Sequence, residues 1–357
     1  MQDIVAGFDV GGTKISLAVA DSSDTTVYRE IEPTQVSSAD WISSEKQATY
    51  LGVARQLARM LRAALARLQG STLRAIGIVS AGPIRDGGLW NSTNIIPTGT
   101  EKLRAEVPRF IPLVSPLEEA FSCPVHLIND CNGGVLGEVY YGLGKTTDDK
   151  SKLHLAYATI STGFGVGAWD GGHLILGKDG NAGELGHVLV EQDGLRCGCG
   201  NRGCVEAYCS GTGIVCNART RLAGLAPADL ARSPLLGLLR SDAGEGPALG
   251  AADVLLASLT SVQIFEAALI GDAVAKAVIR DAVFAGGVAL SALANAYDPQ
   301  IISVGGSIAL AHPWLLDEIR EEALRHLNVA PPEIVLSPLA NRVTEQGAIA
   351  VARSLLT

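Results

Sequence analysis

A mixed α/β protein of two lobes follows from three features of the sequence. The chain has 357 residues, more than one ordinary core organises. A strand, a glycine turn and a returning strand occur twice, around Asp9 and around Thr162. Long helical patterns alternate with short apolar strands between and after these two places.

The elements follow in order. Ile4 to Asp9 is an apolar run that reads as a buried strand; Gly11-Gly12 turns the chain, and Lys14 to Ala20 alternates as the returning strand. Trp41 to Leu68 carries a long helical pattern after a Ser/Asp-rich stretch suited to capping, and it ends at Gly70. Leu73 to Val79 is a strand before the turn-rich SAGPIRDGG. Pro112 to Phe121 reads as a helix and Val125 to Asn129 as a strand running into Asp130. Leu153 to Thr159, the turn STGFGVG and Val166 to Trp169 repeat the opening theme as a weak internal duplication, and Leu174 to Gly177 follows a Gly-Gly pair. The stretch 220–256 reads as an irregular helical excursion. Ser261 to Tyr297 is strongly helical, with a break expected at Gly271 and a second at Gly286-Gly287. Pro299 to Val304 is a strand ending in Gly305-Gly306-Ser307. Trp314 to Leu327 is an amphipathic helix, Glu333 to Leu336 a last strand and Thr344 to Leu355 a last helix.

Composition narrows the function classes. Hydrophobic residues make up 47% and charged residues 18%, a well-packed globular balance. The net charge of −9 and a pI of about 5.2 repel nucleic acid and anionic membrane surfaces. A phosphate-bearing ligand must then be held by local backbone dipoles and a metal ion. The N-terminus lacks a basic leader and an apolar signal block, so a cytoplasmic protein is expected. Seven cysteines, an odd count, argue against a disulfide framework; Cys123, Cys131, Cys209 and Cys216 read as small hydrophobes or spectators.

The other three cysteines carry the most specific signal. GELGHVLVEQDGLRCGCGNRGCVE, from Gly183 to Glu206, places His187, Cys197, Cys199 and Cys204 in the array H-x9-C-x-C-x4-C. Four such donors in one glycine-rich loop are what a closed, structural, tetrahedral zinc site requires. Glu184 and Glu206 are hard carboxylates that match a thiolate-rich site poorly, so they are expected to face a polar ligand. One ring nitrogen of His187 would bind metal, and the other needs a partner, for which a substrate hydroxyl is a candidate.

Three glycine turns suggest phosphate or nucleotide contacts. In Asp9-Val10-Gly11-Gly12-Thr13-Lys14 the glycines let backbone N–H groups approach a phosphate; Thr13 adds a hydroxyl, Lys14 a charge, and Asp9 is placed to hold Mg2+. The run is no Walker A loop, because strand rather than helix follows it. Its ordinary alternative is a tight hairpin. Ser161-Thr162-Gly163-Phe164-Gly165 has the same logic, and Gly305-Gly306 suits a nucleotide base or ribose. Asp130, at a strand end after Asn129, is positioned either as a turn cap or as a base that takes a proton from a substrate hydroxyl.

Together these residues resemble the ROK family of bacterial sugar kinases, open-reading-frame proteins and sugar-responsive repressors. The resemblance runs from Phe8 to about Val351; it is most specific in GELGHVLVEQDGLRCGCGNRGCVEAYCSG and extends to DVGGTK, IND and DPQIISVGGS. It implies a two-lobed, actin-like ATPase (ribonuclease H-like) fold with an interdomain cleft. The expected division is 1–127 joined by the C-terminal helix 343–357, and 128–342 with the zinc loop and the excursion 220–256. ATP, Mg2+ and structural Zn2+ are the implied cofactors. Asp9, Gly11, Gly12, Thr13, Lys14, Thr162 and Gly163 would contact phosphates, and Gly305 and Gly306 adenosine. Asp130 would be the general base, and Asn94, Asn129, Glu184, His187 and Glu206 would hold the sugar. His187, Cys197, Cys199 and Cys204 would bind zinc. The implied reaction is phosphoryl transfer to the C6 hydroxyl of a hexose, glucose first, with N-acetylmannosamine or N-acetylglucosamine as the alternatives. A homodimer is expected. A repressor is disfavoured, because the phosphate loop begins at Asp9 and leaves no room for a helix-turn-helix before it. Ser161 and Phe164 depart from the family pattern in the second loop, as does Ser307 in the third, where a third glycine is usual.

Overall fold

A computed structural model describes residues 2–37, 40–43, 47–92, 95, 108–242 and 256–356. The chain forms two compact units. The first comprises Met1–Tyr157, Gly167–Gly183 and Ser337–Thr357; the second comprises Ala158–Val166 and Glu184–Leu336.

In the first unit, β1 (Gln2–Val10), β2 (Lys14–Asp21), β3 (Thr26–Pro33), β6 (Ser71–Ser80) and β10 (Val125–Asn129) form one sheet in the order β10-β6-β1-β2-β3. β1 and β2 are an antiparallel hairpin, whereas β1, β6 and β10 run parallel. Ile4, Ala6, Phe8 and Val10 lie in the same core cluster as Leu57 and Leu61 of the helix Gly52–Arg67. Val5, Ala75 and Val79 belong to clusters with Ala348, Ile349 and Val351 of the C-terminal helix Val343–Ser354. The alternation along β1 therefore serves two buried faces, and this explains its unbroken apolar character. Gly77 lets that helix press onto β6, since a Cβ there would stand 2.0 Å from the Ala348 carbonyl oxygen.

Two sequence expectations need correction. The helix expected from Trp41 begins only at Gly52; before it, β4 (Trp41–Ser43) and β5 (Ala48–Tyr50) pair antiparallel in a second sheet. That sheet has the order β4-β5-β9-β8-β7, with β7 (Ile84–Arg85), β8 (Gly88–Trp90) and β9 (Arg109–Pro112). Trp41 and Tyr50 pack ring to ring at 5.0 Å, a cross-strand pair that aromatic and β-branched residues favour over helix. The break expected at Gly286-Gly287 does not occur, and Ala273–Tyr297 is one helix. Those glycines serve packing: a Cβ at Gly287 would lie 2.5 Å from Glu322 of the neighbouring helix Pro313–Leu324. The break at Gly271 is real, with φ +99° there and helix Ser261–Leu269 ending before it.

A third sheet has the order β13-β12-β11-β14-β15, from β11 (His154–Ile160), β12 (Phe164–Asp170), β13 (His173–Leu174), β14 (Ile301–Gly305) and β15 (Glu333–Leu336). The helix Ala273–Tyr297 is long and apolar enough to cross a membrane, yet its apolar face is used internally, with Val278, Ala282, Leu290 and Leu293 all fully buried. The excursion 220–256 begins in the last turn of the helix Gly211–Ala223 and contains helices Pro227–Arg232 and Pro234–Asp242, and 243–255 lies outside the described residues.

Candidate active site

In the first unit the chemistry collects at the carboxyl ends of the parallel strands β1, β6 and β10, where open α/β sheets place their ligands. Register sets Val10 beside Ser80, and Ser80 beside Asn129. The buried Ser80 hydroxyl donates to the Val10 carbonyl at 2.8 Å and fixes the end of β1. The next residues are the hairpin Gly11–Lys14, closed by Gly11 N–H to the Lys14 carbonyl at 3.0 Å. Thr34 braces it from outside, donating from its hydroxyl to the Gly11 carbonyl at 2.7 Å. Thr13 and Lys14 are exposed at the tip.

Asp9 is half-buried. Its Oδ2 accepts a 2.6 Å hydrogen bond from the Thr344 hydroxyl. Burial pushes its carboxyl up to about 6, and the nearby Asp130 adds to the rise, against the Thr344 bond and Lys14, which lower it. A hard oxygen donor beside a phosphate-type loop suits Mg2+, which takes one or two carboxylates and leaves its other positions to phosphate and water.

Asp130 opens the helix Asp130–Tyr141, and Asn129 is its N-cap. The Asn129 Oδ1 accepts from Cys131 N–H at 2.8 Å, leaving its Nδ2 as a donor. Burial holds the Asp130 carboxyl above its usual range, while the Cys131 N–H pulls the other way. Such a carboxylate is a better proton acceptor than an exposed one. This helix is absent from the sequence expectations, and Gly133, Gly134 and Gly137 give it a low intrinsic propensity. All three are sites of close approach. A Cβ at Gly137 would lie 2.3 Å from the Val343 carbonyl oxygen, and one at Gly133 would lie 2.4 Å from Val79.

Asn181 is a polar residue that no motif singles out. A Cβ placed on Gly82 would stand 3.9 Å from both Asn129 Nδ2 and Asn181 Oδ1. The Asn181 Nδ2 is occupied by the Asp179 carbonyl at 3.2 Å. The Asn129 and Asn181 side-chain amides thus both border Gly82, and the Asn129 side chain also interacts with the Asp130 carboxylate. The position of Asn181 in the glycine-rich run before Glu184 was the available clue. Asn94 lies outside the described residues.

The second unit carries the other group. His187, Cys197, Cys199 and Cys204 place one ligand atom each within 4.8 Å of one another. The Cys199 and Cys204 sulfurs are 3.8 Å apart, and Cys197 Sγ is 3.7 Å from His187 Nδ1. Zn–S bonds of about 2.3 Å at tetrahedral angles give S···S of about 3.8 Å, so these donors fit zinc. The loop is shaped for this by Cys197 N–H to the Asn201 carbonyl at 2.8 Å and Gly203 N–H to the Leu195 carbonyl at 2.8 Å. Gly203 has φ +71°, and a Cβ there would collide with the Glu191 carbonyl at 1.7 Å. Tyr208 ties the loop down, accepting from Leu195 N–H at 2.7 Å and donating to Glu191.

His187 turns its other nitrogen away from the cysteines. Nε2 lies 3.6 Å from the Glu184 carboxylate, on the exposed side. Glu206 is more internal. Its Oε2 accepts from Phe164 N–H at 3.0 Å, and its Oε1 is 3.7 Å from Cys197 Sγ. Glu206 therefore links the cysteine cluster to the second glycine turn, and a Cβ at Gly163 would stand 2.7 Å from Oε2 and push that carboxylate off its present place.

A cleft of about 400 Å³ is lined by Thr162, Thr212, Cys216, Arg219, Ser261 and Ser307, among others. Gly211 N–H and Thr212 N–H donate to the Ser161 and Thr162 carbonyls at 2.7 and 3.3 Å, joining the turn to the helix Gly211–Ala223. The Ser161 and Ser307 hydroxyls are 3.1 Å apart. Gly306, at φ +92°, lets the chain leave β14 within 2.4 Å (Cβ position) of the Ile160 carbonyl oxygen. The residues expected at the nucleotide thus fall in two groups: Asp9 to Lys14 on the first unit, and Thr162, Gly163, Gly305 and Gly306 on the second.

This is the two-lobed, actin-like ATPase fold, shared with the ROK kinases of known structure. The ROK family model matches residues 5–356, and the chain belongs to that family. Over 354 residues it is 27% identical to the glucokinase of Thermotoga maritima, covering 97% of this chain and 96% of that protein. A ROK family glucokinase from Streptomyces griseus, solved with glucose and AMPPNP, is similar at 29% identity and a TM-score of 0.67, over 98% of this chain and 99% of that one. An N-acetylmannosamine kinase of Escherichia fergusonii is 36% identical over 221 residues, 60% of this chain and 64% of that protein.

Proposed function

We propose that this protein is an ATP-dependent hexose kinase that transfers the γ-phosphate to the C6 hydroxyl of glucose, with Asp130 as general base. The observation that carries the reading is Asp130 itself: a carboxylate at the carboxyl end of β10, raised by burial, capped into a helix by Asn129 and within electrostatic reach of Asp9. It is supported by the full-length similarity to the Thermotoga maritima glucokinase and by the glucose and AMPPNP complex of the Streptomyces griseus protein.

In this account Asp130 accepts the hydroxyl proton and aims the oxygen at phosphorus. Phosphoryl transfer asks the protein mainly for positioning and for neutralisation of charge. Lys14 and the N–H groups of the first hairpin take phosphate oxygens, as do Thr162 and Gly163 of the second turn. Asp9 would hold Mg2+, which neutralises charge on the phosphates when bound. Gly305 and Gly306 bear the adenosine. Asn129, Asn181, Glu184 and His187 read sugar hydroxyls. Zinc on His187, Cys197, Cys199 and Cys204 would keep His187 oriented, so that its Nε2 and Glu184 face the sugar; Glu206 would add a hydroxyl contact or, through Phe164, set the second turn.

A second reading, an N-acetylmannosamine kinase, is favoured by the 36% partial match. ADP release measured with glucose, mannose, N-acetylmannosamine and N-acetylglucosamine separates the two. Highest kcat/KM with glucose supports the first; highest kcat/KM with N-acetylmannosamine replaces it. Turnover with none of the sugars, together with specific duplex DNA binding, would make the chain a regulator instead, against the expectation from its net charge of −9.

A further inference from the structure

We propose that Thr344, on the C-terminal helix, is the positioning residue that aims Asp9 at the metal–nucleotide; this rests on the phosphotransfer reading above. The two residues are 335 positions apart, so no local motif could have linked them. The Thr344 hydroxyl donates to Asp9 Oδ2 at 2.6 Å, while Oδ1 has no hydrogen-bond donor among the described residues. A neutral donor on one oxygen stops the carboxylate rotating without cancelling its charge, which an arginine or lysine would do. The other oxygen is thereby left charged and fixed.

Thr344 is itself held by its neighbour. Glu345 is 1% exposed, and its carboxylate accepts from Ser16 at 2.7 Å, Arg29 at 2.7 Å and Arg342 at 3.3 Å. Ser16 and Arg29 belong to β2 and β3, and Ser16 lies two residues beyond Lys14. The start of the helix is therefore pinned to the strand that leaves the phosphate hairpin. Backbone contact prevents the helix from sliding, since Cβ atoms at Gly7 and Gly77 would lie 2.8 and 2.0 Å from the backbone of Ile349 and Ala348. A group held from two sides within such tolerances is what metal positioning needs, as supporting hydrogen bonds orient the ligands that touch the ion.

The test compares the full-length protein with Thr344→Val, which keeps the shape and loses the donor, and Thr344→Ser, which keeps the donor. Calorimetry reads AMPPNP binding with and without Mg2+, and ADP release reads the Mg2+ dependence. Loss of a hydrogen bond to a charged group corresponds to about a ten- to hundredfold change. Thr344→Val is expected to weaken Mg2+-dependent AMPPNP binding and raise the half-activating Mg2+ concentration by that factor, with sugar KM and Mg2+-free nucleotide binding unchanged. Thr344→Ser is expected to recover most of the loss. If Thr344→Val fails to fold, Thr344→Ala carries the same expectation; failure of both to fold would make the residue structural and overturn the proposal. Unchanged Mg2+ dependence in a folded variant would overturn it while leaving the kinase reading intact. A wild-type chain that binds no Mg2+–AMPPNP would overturn both.

Discussion

Replacing Gly347 by alanine tests the packing that places Asp130. The helices Asp130–Tyr141 and Val343–Ser354 touch backbone to backbone, and a Cβ on Gly347 would stand 1.9 Å from the Gly133 carbonyl oxygen and 2.4 Å from its carbon. Carbon–oxygen contacts settle near about 3.4 Å, so the helices must part by about 1.5 Å. No flexible side chain can absorb this, because the obstacle is backbone, and the parting would also strip the contact between Gly137 and the Val343 carbonyl. Overpacking of a tight interior costs about 1–3 kcal/mol. Gly347→Ala belongs at the upper end, about 3 kcal/mol, or a fall in Tm of roughly 6–12 °C at about 2–4 °C per kcal/mol. Asp130 rides on the first turn of the displaced helix, and a 1 Å misplacement costs about 10²-fold in rate. Gly237→Ala is the control. It sits exposed in the helix Pro234–Asp242 with nothing within 4 Å of the added carbon, so alanine should stabilise by about 0.5–1 kcal/mol through helix propensity. Thermal unfolding and steady-state kinetics on both variants decide the matter. A Gly347→Ala protein with parental Tm and turnover would refute the close approach.

Two more outcomes are expected. Stripping zinc with a chelator, checked by metal analysis, should lower Tm and weaken sugar binding, because the loop 187–204 loses its staple while Glu184 and His187 lose their orientation; sugar affinity unchanged after verified metal removal would contradict this. The raised carboxyl of Asp130 gives a pH signature in two readouts. A raised folded value means protonation favours the folded state, so that contribution is full below the ordinary value of 3.8 and is lost as pH rises through the folded value. Asp130→Asn should therefore be more stable than the parent at pH 8, with the gain vanishing below pH 4, and the parent's acid limb in kcat should lie above 3.8. Equal stability of the two proteins across that range would remove the burial argument.

Buried apolar runs were legible in the sequence, and Val125–Asn129 and Glu333–Leu336 appear with the bounds expected. The places that were not legible have specific causes. Trp41 to Tyr50 pair across strands, which a helical period cannot distinguish in so short a run. Gly286 and Gly287 read as a helix break, and Gly133, Gly134 and Gly137 lower helix propensity, yet all five are points where neighbouring groups pack too closely for a Cβ, a tertiary gain that outweighs propensity. The cysteine array was legible because its four donors lie within 18 residues of chain, as local spacing alone can show. The Thr344–Asp9 hydrogen bond was not, since its partners are 335 positions apart.

Asp130→Asn, assayed for both turnover and sugar binding, tests the central claim most directly. The substitution keeps the shape and the helix start while removing the proton acceptor, and general-base help is worth about 10²–10⁴ in rate. The account predicts ADP release reduced by at least about 10²-fold, with sugar affinity measured by calorimetry within a fewfold of the parent. Near-parental turnover in Asp130→Asn would contradict it.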